Sequence, residues 1–243
     1  MIIDDALADL GPRPPGPVVR ALGRVFPGIR EVQAQTEPYA EAWARANRAA
    51  LAATGPLWVA LGDSMSQGIG ASAYDRGWVG QLSTRLRESG WEHRLLNLSV
   101  TGARVDDLVA TQLPALEAAV QDAGPAALVT VVIGSNDVVS PRHRRDLADR
   151  FAAMLDRLPD GAVVMNLPNP HREARRVDAL LHDREALGRV VVADMRTQGP
   201  RSWRGLLSAD SFHPNDRGYA AMADVVESAL QRAGLPGLPG RTP

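Results

Sequence analysis

One serine and one histidine lie where a nucleophile and a base could meet. Ser64 follows Gly62-Asp63, at the point where the apolar run 57–62 stops. Of the five histidines, only His213 has a carboxylate close by in a loop of this kind, at Asp210 three positions earlier. A serine hydroxyl attacks a carbonyl at neutral pH only when a base accepts its proton, and a carboxylate on Nδ1 leaves Nε2 facing the serine. The three residues therefore predict nucleophilic catalysis by Ser64, with His213 as the base and Asp210 orienting the imidazole.

Each of these residues also has a structural interpretation. A serine after a strand is commonly a turn residue or helix cap, Asp210 can cap a turn, and His213 can begin a helix. Gly102 and Asn136 add weight to the catalytic interpretation. A backbone N–H at Gly102 and the side-chain amide of Asn136, together with the Ser64 N–H, would supply three donors to the oxygen of an attacked carbonyl. Both are also common turn residues, so their occurrence together at successive element ends is the evidence for a site.

The elements that must position these residues alternate between short apolar runs and longer amphipathic segments. The runs have strand length and cover residues 57–62, 95–100, 127–134, 162–168 and 189–195. Helical spacing marks residues 37–53, 77–89, 146–158 and about 216–232. Such alternation predicts an α/β fold with a parallel sheet covered on both faces. Because sites in these sheets lie at the carboxyl ends of the strands, the polar clusters are expected on one rim.

Composition excludes several classes of chemistry. All 27 basic residues are arginine and there is no lysine, which excludes Schiff-base chemistry, pyridoxal phosphate attachment and a P-loop. The absence of cysteine excludes thiol nucleophiles, disulfides and thiolate-bound metals. The histidines show no pairing that would hold zinc, so we predict no metal site. A net charge of -1 argues against a nucleic-acid partner.

The N-terminal residues 1–17 carry acids where a secretory signal needs positive charge. No window approaches the roughly 20 consecutive apolar residues of a membrane span. We therefore expect a cytoplasmic protein without stable membrane insertion. The sequence makes no prediction of oligomeric state.

Four stretches of the chain, in order, resemble blocks of the SGNH or GDSL hydrolase family. "GDSMSQG" is similar to the first block, with Ser64 as nucleophile, and "NLSVTGAR" to the second, with Gly102. "GSND" is similar to the third block, with Asn136, and "DSFHPN" to the fifth, with Asp210 and His213. The resemblance covers about residues 57–232. It departs from the family shorthand at one position, where methionine 65 replaces leucine with little change in volume.

The resemblance implies a flavodoxin-like, three-layer α/β/α sandwich with about five strands. It implies a small-molecule substrate with a carboxylic ester of short acyl, O-acetyl or lysophospholipid-like type, hydrolysed through an acyl-enzyme. The triad would be Ser64, Asp210 and His213, the oxyanion hole would be Ser64, Gly102 and Asn136, and no cofactor is implied. Residues 1–55 are predicted to form a helical extension packed on the hydrolase domain at 56–235, followed by a flexible tail at 236–243.

Other functions remain open at this point. An acyltransferase would use the same triad and pass the acyl group to a sugar or alcohol, and a silent binding module would keep the fold without turnover. The α/β-hydrolase family also orders Ser, Asp, His, but its Gly-x-Ser-x-Gly elbow is absent at Ser64. "GIGASA" (68–73) matches a dinucleotide fingerprint by letters but begins several residues after the preceding strand.

Overall fold

The computed structural model describes residues 7, 10, 11 and 23–234 of the 243-residue chain. Five strands form one sheet: β1 (Leu57–Gly62), β2 (Arg94–Asn97), β3 (Ala126–Val132), β4 (Ala162–Met165) and β5 (Val190–Ala193). All pairings are parallel and the spatial order is β2-β1-β3-β4-β5. The predicted α/β fold is confirmed, and this strand order is that of the flavodoxin-like sheet.

The described helices fall before and between the strands. In chain order they are α1 (Pro27–Gln33), α2 (Thr36–Ala52), α3 (Ser64–Gln67), α4 (Trp78–Glu88), α5 (Val105–Asp107), α6 (Leu113–Ala123), α7 (Ser135–Val138), α8 (Leu147–Leu155), α9 (Arg172–Ala186) and α10 (Asp216–Ala233). A short π-helical stretch, Leu108–Gln112, joins α5 to α6. The four helices predicted from periodicity are present as α2, α4, α8 and α10, within three residues of the expected ends.

Strand β1 shows why helices cover both faces of the sheet. Its side chains alternate in direction, as they do in any strand. Leu57, Val59 and Leu61 belong to a buried cluster that includes α6, α8 and α9. Trp58 and Ala60 belong to a second buried cluster that includes α4 and α10. The continuous apolar run is therefore explained by two cores, one on each side of the sheet.

Strand β2 is shorter than its apolar pattern suggests. The pattern extends to residue 100, but the strand ends at Asn97. Leu98 and Val100 still donate backbone hydrogen bonds to Ala60 and Gly62, and both are buried. The pattern thus correctly indicated burial beside β1, while the side chain of Asn97 turns the backbone by accepting from Ser99 N–H.

Side chains bond to the backbone of both edge strands. On β2, Asn47 of α2 donates to the carbonyl of Asn97 at 2.8 Å and accepts from its N–H at 2.8 Å. On β5, the N–H of Val192 donates to Glu185 of α9 at 2.7 Å, and its carbonyl accepts from Arg232 of α10 at 2.8 Å. Side chains of α2, α9 and α10 therefore satisfy the outward backbone groups of one residue on each edge strand.

The helices that precede β1 contact the rest of the fold chiefly through α2. Its Trp43 is buried in the same core cluster as Trp58 and Trp78. The division of the chain at residue 55 stays a prediction, and the tail predicted at 236–243 lies outside the described residues. Among the described residues, none of the helices combines the length and apolar character that crossing a lipid bilayer requires.

Candidate active site

The site lies at the carboxyl ends of β1 and β3, where the chain changes the direction in which it adds strands to the sheet. Strands β1 and β3 are neighbours at the centre of the sheet, and the chain continues from them to opposite sides. Helix α3 begins at Ser64 directly after β1, and α7 begins at Ser135 directly after β3. In open parallel sheets, ligands bind in the crevice at the carboxyl ends of such strands.

The turn after β1 presents Ser64 at the first position of a four-residue helix. Asp63 caps this helix, because its Oδ1 accepts from the N–H of Met65 at 3.0 Å. Ser64 is 4% exposed and Asp63 is 1% exposed. The cap holds the serine at the end of a buried strand with its backbone N–H among the unpaired donors of a helix start.

A chain of hydrogen bonds joins the three residues predicted to react. His213 Nε2 lies 2.9 Å from Ser64 Oγ, and His213 Nδ1 lies 2.6 Å from Asp210 Oδ2. Because a carboxylate only accepts hydrogen bonds, Nδ1 carries the ring proton and Nε2 is free to accept from the serine. The structure therefore brings Ser64, His213 and Asp210 together in the order that general-base activation requires.

Asp210 both caps a turn and holds the imidazole. Its Oδ1 accepts three hydrogen bonds at 2.9 Å, from Ser208 Oγ, Phe212 N–H and His213 N–H. Burial alone would raise the pKa of this carboxyl, but the hydrogen bond and charge of His213 and the two backbone donors hold its pKa well below the usual range. The carboxylate thus stays ionised wherever a histidine base is active. Asp210 therefore has both of the roles considered for it, as a turn cap and as the partner of His213.

The loop that carries His213 docks closely on the segment after Ser64. A Cβ added at Gly70 would lie 2.7 Å from His213 Cβ and 2.6 Å from the carbonyl of Pro214, so only glycine permits this approach. Tyr219 of α10 donates to the carbonyl of Ile69 at 2.6 Å. These contacts fix the distance between serine and imidazole across 149 residues of sequence.

Gly102 lies in the loop after β2, in the left-handed region at φ 81°. A Cβ there would meet nothing within 4 Å, so the space beside its backbone is open. Within the described part of the chain, no acceptor pairs with the N–H of Gly102 or of Ser64. Both N–H groups are therefore available to a ligand.

The amide of Asn136 bridges the loops after β1 and β2. Its Nδ2 donates to the carbonyl of Ala103 at 2.9 Å and lies 3.5 Å from Asp63 Oδ2. The first is a good hydrogen bond, whereas the second is at the limit of one. Asn136 is thus anchored beside Gly102 by one N–H, and its second N–H is only loosely held.

Asp63 is a buried carboxyl with an unusual protonation equilibrium. Burial, with a smaller contribution from the charge of Asp137, raises its pKa to about 7 against the opposing effects of the Met65 N–H and of His213. Near neutral pH the group therefore carries only part of a negative charge. This matters because it adjoins both Ser64 and Asn136.

An apolar cavity of about 280 Å³ is lined by sequence neighbours of Ser64 and His213, although these two residues are not themselves part of its wall. Its walls include Met65, which follows the serine, and Phe212 and Pro214, which flank the histidine. Methionines 165, 195 and 222 also line it, so that four of the six methionines of the chain face this space. Unbranched, polarisable side chains suit a cavity that adapts to flexible apolar ligands.

Comparison with known proteins agrees with this geometry. The model of the GDSL-like Lipase/Acylhydrolase family matches residues 60–221, more than half of the chain. The chain belongs to this family. It is accordingly a hydrolase that acts on ester bonds, as the resemblance implied.

Individual relatives of this acylhydrolase are distant. Esterase TesA of Pseudomonas aeruginosa is 28% identical over 162 residues, which cover 63% of this chain and 77% of the esterase. A crystal structure of TesA matches at a TM-score of 0.56 with 22% identity, covering 72% of this chain and 98% of that one. A member of the lipolytic G-D-S-L family from Veillonella parvula matches at 0.59 with 19% identity, covering 73% and 100%. The two structures support the fold.

From the sequence, Trp78, Trp203, Phe212, Asn169 and His171 lie on loops that could rim a pocket, but packing is the favoured interpretation. The structure divides them. Trp203, Phe212 and Asn169 line the cavity. Trp78 is wholly buried in the core at the start of α4, and His171 caps α9 by accepting from Glu173 N–H. The first three therefore border the cavity, while the other two have structural roles.

The sequence does not predict the residues that hydrogen-bond to Asp210 and to the end of β1 and so hold the site in place. Ser208 bonds to Asp210, and Gln112 pairs reciprocally with the N–H and carbonyl of Gly62 at 2.8 and 2.7 Å. A buried amide such as Gln112, which is 0% exposed, gives no local signal of the backbone it will pair with. Ser208 lies two positions before Asp210 in the sequence, but this spacing is too common to predict a hydrogen bond between them.

Proposed function

We propose that this acylhydrolase cleaves carboxylic esters through a covalent acyl-enzyme on Ser64. The observation that carries the proposal is the continuous hydrogen-bond chain from Ser64 Oγ through His213 to Asp210, at 2.9 and 2.6 Å. Among the described residues, this serine–histidine pair is the one that ends on a carboxylate. That third group fixes the tautomer in which the base can act.

The reaction has two steps. Ser64 Oγ attacks the ester carbonyl carbon while its proton moves to His213 Nε2, and the resulting imidazolium is stabilised by Asp210. His213 then returns the proton to the alcohol oxygen as the ester C–O bond breaks, leaving the acyl group on the serine. A water molecule attacks this acyl-enzyme with His213 again as base, and free acid leaves as Ser64 regains its proton.

The negative charge on the carbonyl oxygen needs donors that are already in place. The N–H groups of Ser64 and Gly102 have this role, because neither has an acceptor within the described residues. Asn136 adds its second amide N–H, which gives up only the long contact with Asp63 Oδ2. Partial protonation of Asp63 near neutral pH weakens that competing acceptor.

The volume and the apolar lining of the cavity indicate the length and the polarity of the acyl group that it would bind. Its two asparagines are already hydrogen-bonded elsewhere: Asn166 donates to Asp178 and Asp194 and accepts from Met195 N–H, and Asn169 accepts from His171 N–H. An acetyl group would leave most of about 280 Å³ unfilled. Each further methylene buried there contributes about 0.8 kcal/mol. We therefore favour an unbranched apolar acyl chain longer than acetyl.

The chemistry is tested with a fluorophosphonate probe and p-nitrophenyl esters. We expect ester turnover, and a mass increase on the peptide that contains Ser64 and on no other serine peptide. A folded preparation without turnover or labelling would identify a silent binding module instead. Turnover repeated with added alcohols and sugars should yield free acid, and a new ester as the main product would identify an acyltransferase.

The acyl cavity is tested by chain length. The ratio kcat/KM should rise from the acetyl ester to the hexanoyl or octanoyl ester. Val139→Trp narrows the cavity at a wall residue that is 56% exposed, and it should lower kcat/KM for the octanoyl ester about tenfold or more while sparing the acetyl ester. Leu187→Trp is the matched control, since Leu187 is 72% exposed and is not in the wall. Equal effects on all chain lengths would contradict this assignment.

A further inference from the structure

Helix α2 precedes the residues matched by the family model, yet its side chains bond to the loops of the active site. We propose that Asn47 and Trp43 of this helix are positioning residues for catalysis, acting on both the nucleophile helix α3 and the Gly102 loop. The inference rests on the proposed function, because it concerns the same nucleophile and oxyanion donors.

The first connection runs through Asn47 to the end of β2. Its side chain pairs reciprocally with the backbone of Asn97 through two hydrogen bonds of 2.8 Å. Asn47 is 5% exposed and Asn97 is 3% exposed, so water does not replace these bonds. The position of Asn97 in the sheet edge is thus set by α2.

Asn97 passes this position on to the nucleophile helix. Its Nδ2 donates to the carbonyl of Ser66 at 2.8 Å, two residues after Ser64. Its Oδ1 accepts from the N–H of Ser99 and from Ser99 Oγ. One buried side chain therefore joins α3 to the loop that leads to Gly102.

The second connection runs through Trp43 to Gln67, the last residue of α3. Trp43 Nε1 donates to the Gln67 carbonyl at 3.1 Å. The amide of Gln67 then donates to the carbonyl of Ser99 at 2.7 Å and accepts from Thr101 Oγ1 at 2.8 Å. Thr101 is the residue directly before Gly102, so this connection ends at a proposed oxyanion donor.

Helix α3 needs such external bonds because it has a single turn. A helix of four residues has little stability of its own, and its geometry is decided by what it packs against. Catalysis is sensitive to displacements of about 1 Å between nucleophile and donors, which can cost roughly 100-fold in rate. A network that holds α3 and the Gly102 loop to one helix fixes that spacing.

The test uses the full chain and three substitutions that remove one bonded group each: Asn47→Ala, Trp43→Phe and Thr101→Val. We expect kcat to fall about tenfold for Asn47→Ala and about three- to tenfold for the other two, with KM within about twofold of the unchanged protein. The rate of fluorophosphonate labelling of Ser64 should fall in parallel. Assays are made at a temperature where circular dichroism shows each variant fully folded.

Ser83→Ala is the matched control. It removes a buried hydrogen bond of 2.9 Å between α4 and His93, in the core and outside the proposed network. It should lower the melting temperature without changing kcat. If Asn47→Ala fails to fold, the other two variants still decide the question, because Thr101→Val preserves side-chain volume and Trp43→Phe keeps an aromatic ring in the core.

The outcomes separate the two proposals. Variants that melt earlier but keep the kcat and labelling rate of the unchanged protein would overturn the positioning role and leave the triad intact. An unchanged protein that neither turns over esters nor labels at Ser64 would overturn the proposed function itself. A lowered kcat with constant KM in all three variants supports the role of α2.

Discussion

Within the described part of the chain, two serine–histidine pairs have the same separation but different surroundings. Ser64 Oγ lies 2.9 Å from His213 Nε2, and Ser83 Oγ lies 2.9 Å from His93 Nε2. The first pair ends on the carboxylate of Asp210. The second ends on a backbone carbonyl, because His93 Nδ1 lies 2.9 Å from the oxygen of Trp91.

The surroundings of the second pair are closed. His93 stacks on Trp91 at 4.5 Å between ring centres and also contacts Trp58. Burial lowers the pKa of His93, and Ser83 Oγ accepts a further hydrogen bond from Arg87. This pair fastens β2 to α4. A serine beside a histidine therefore suggests hydrolysis only where a carboxylate, free N–H donors and a cavity accompany it.

The sharpest test of this contrast compares the two serines. Ser64→Ala should lower kcat by about 10⁴-fold or more, because the nucleophile is lost. Ser83→Ala should leave kcat within about twofold but lower the free energy of unfolding by roughly 1–3 kcal/mol, because it leaves buried partners unsatisfied. Steady-state kinetics and urea unfolding measure the two effects. Loss of activity in Ser83→Ala at full folding would break the comparison.

The carboxylate is tested by Asp210→Asn. Its Oδ1 position accepts three hydrogen bonds from the turn, so the new amide keeps oxygen there and turns NH₂ toward His213 Nδ1. The ring must then carry its proton on Nε2, where it cannot accept from Ser64. We expect kcat to fall about 10³-fold with the fold retained. A loss of less than tenfold would show that His213 does not need a carboxylate on Nδ1, and that a neutral partner such as the one His93 has would serve as well.

The oxyanion donors, which the second pair lacks, are tested by Asn136→Ala. Removing one donor costs roughly 10²-fold in kcat, or about 3 kcal/mol of transition-state stabilisation. The effect should fall on kcat more than on KM, because the charge exists only in the transition state. An unchanged kcat would confine Asn136 to bridging Ala103 and Asp63.

The two regions also differ in how pH affects stability. Between about pH 4 and 7 the folded chain keeps a proton on Asp63 that the unfolded chain has lost, so the free energy of unfolding falls as pH rises. Burial lowers the pKa of His93, so the folded chain stays unprotonated there while unfolded histidine takes up a proton below about pH 6.5. The contribution of His93 to the free energy of unfolding therefore falls as pH drops.

Asp63→Asn should therefore remove the loss of stability toward pH 8, on the order of 4 kcal/mol at most. His93→Gln should remove the loss on the acid side. Urea unfolding across pH 5 to 8 separates the two slopes. A curve that Asp63→Asn leaves unaltered would show that Asp63 is ionised in the fold at no cost.

Much of this architecture was predictable because its signals are local. The run 57–62 is a strand with the expected bounds, since Pro56 precedes it and Gly62 ends it. The carboxyl-end rule then predicts Ser64 and Asn136 on one rim of the sheet. Asp210 and His213 are three residues apart, so their contact needed only one turn.

What escaped prediction depends on side chains that meet across long separations. Asn47 and Asn97 are 50 residues apart, and their pairing follows from how α2 packs on β2. The apolar cavity likewise assembles methionines from α3, β4, α10 and the loop after β5, and no local sequence pattern predicts it.

The side chains that hydrogen-bond to the outward backbone groups of β2 and β5 have a consequence for association between molecules. An unprotected edge strand can pair with a strand of another chain and extend the sheet from molecule to molecule. Here Asn47 at one edge, and Glu185 with Arg232 at the other, already pair with the outward backbone groups of Asn97 and Val192. A strand of another molecule would have to break these bonds in order to pair there, which disfavours growth of the sheet from molecule to molecule.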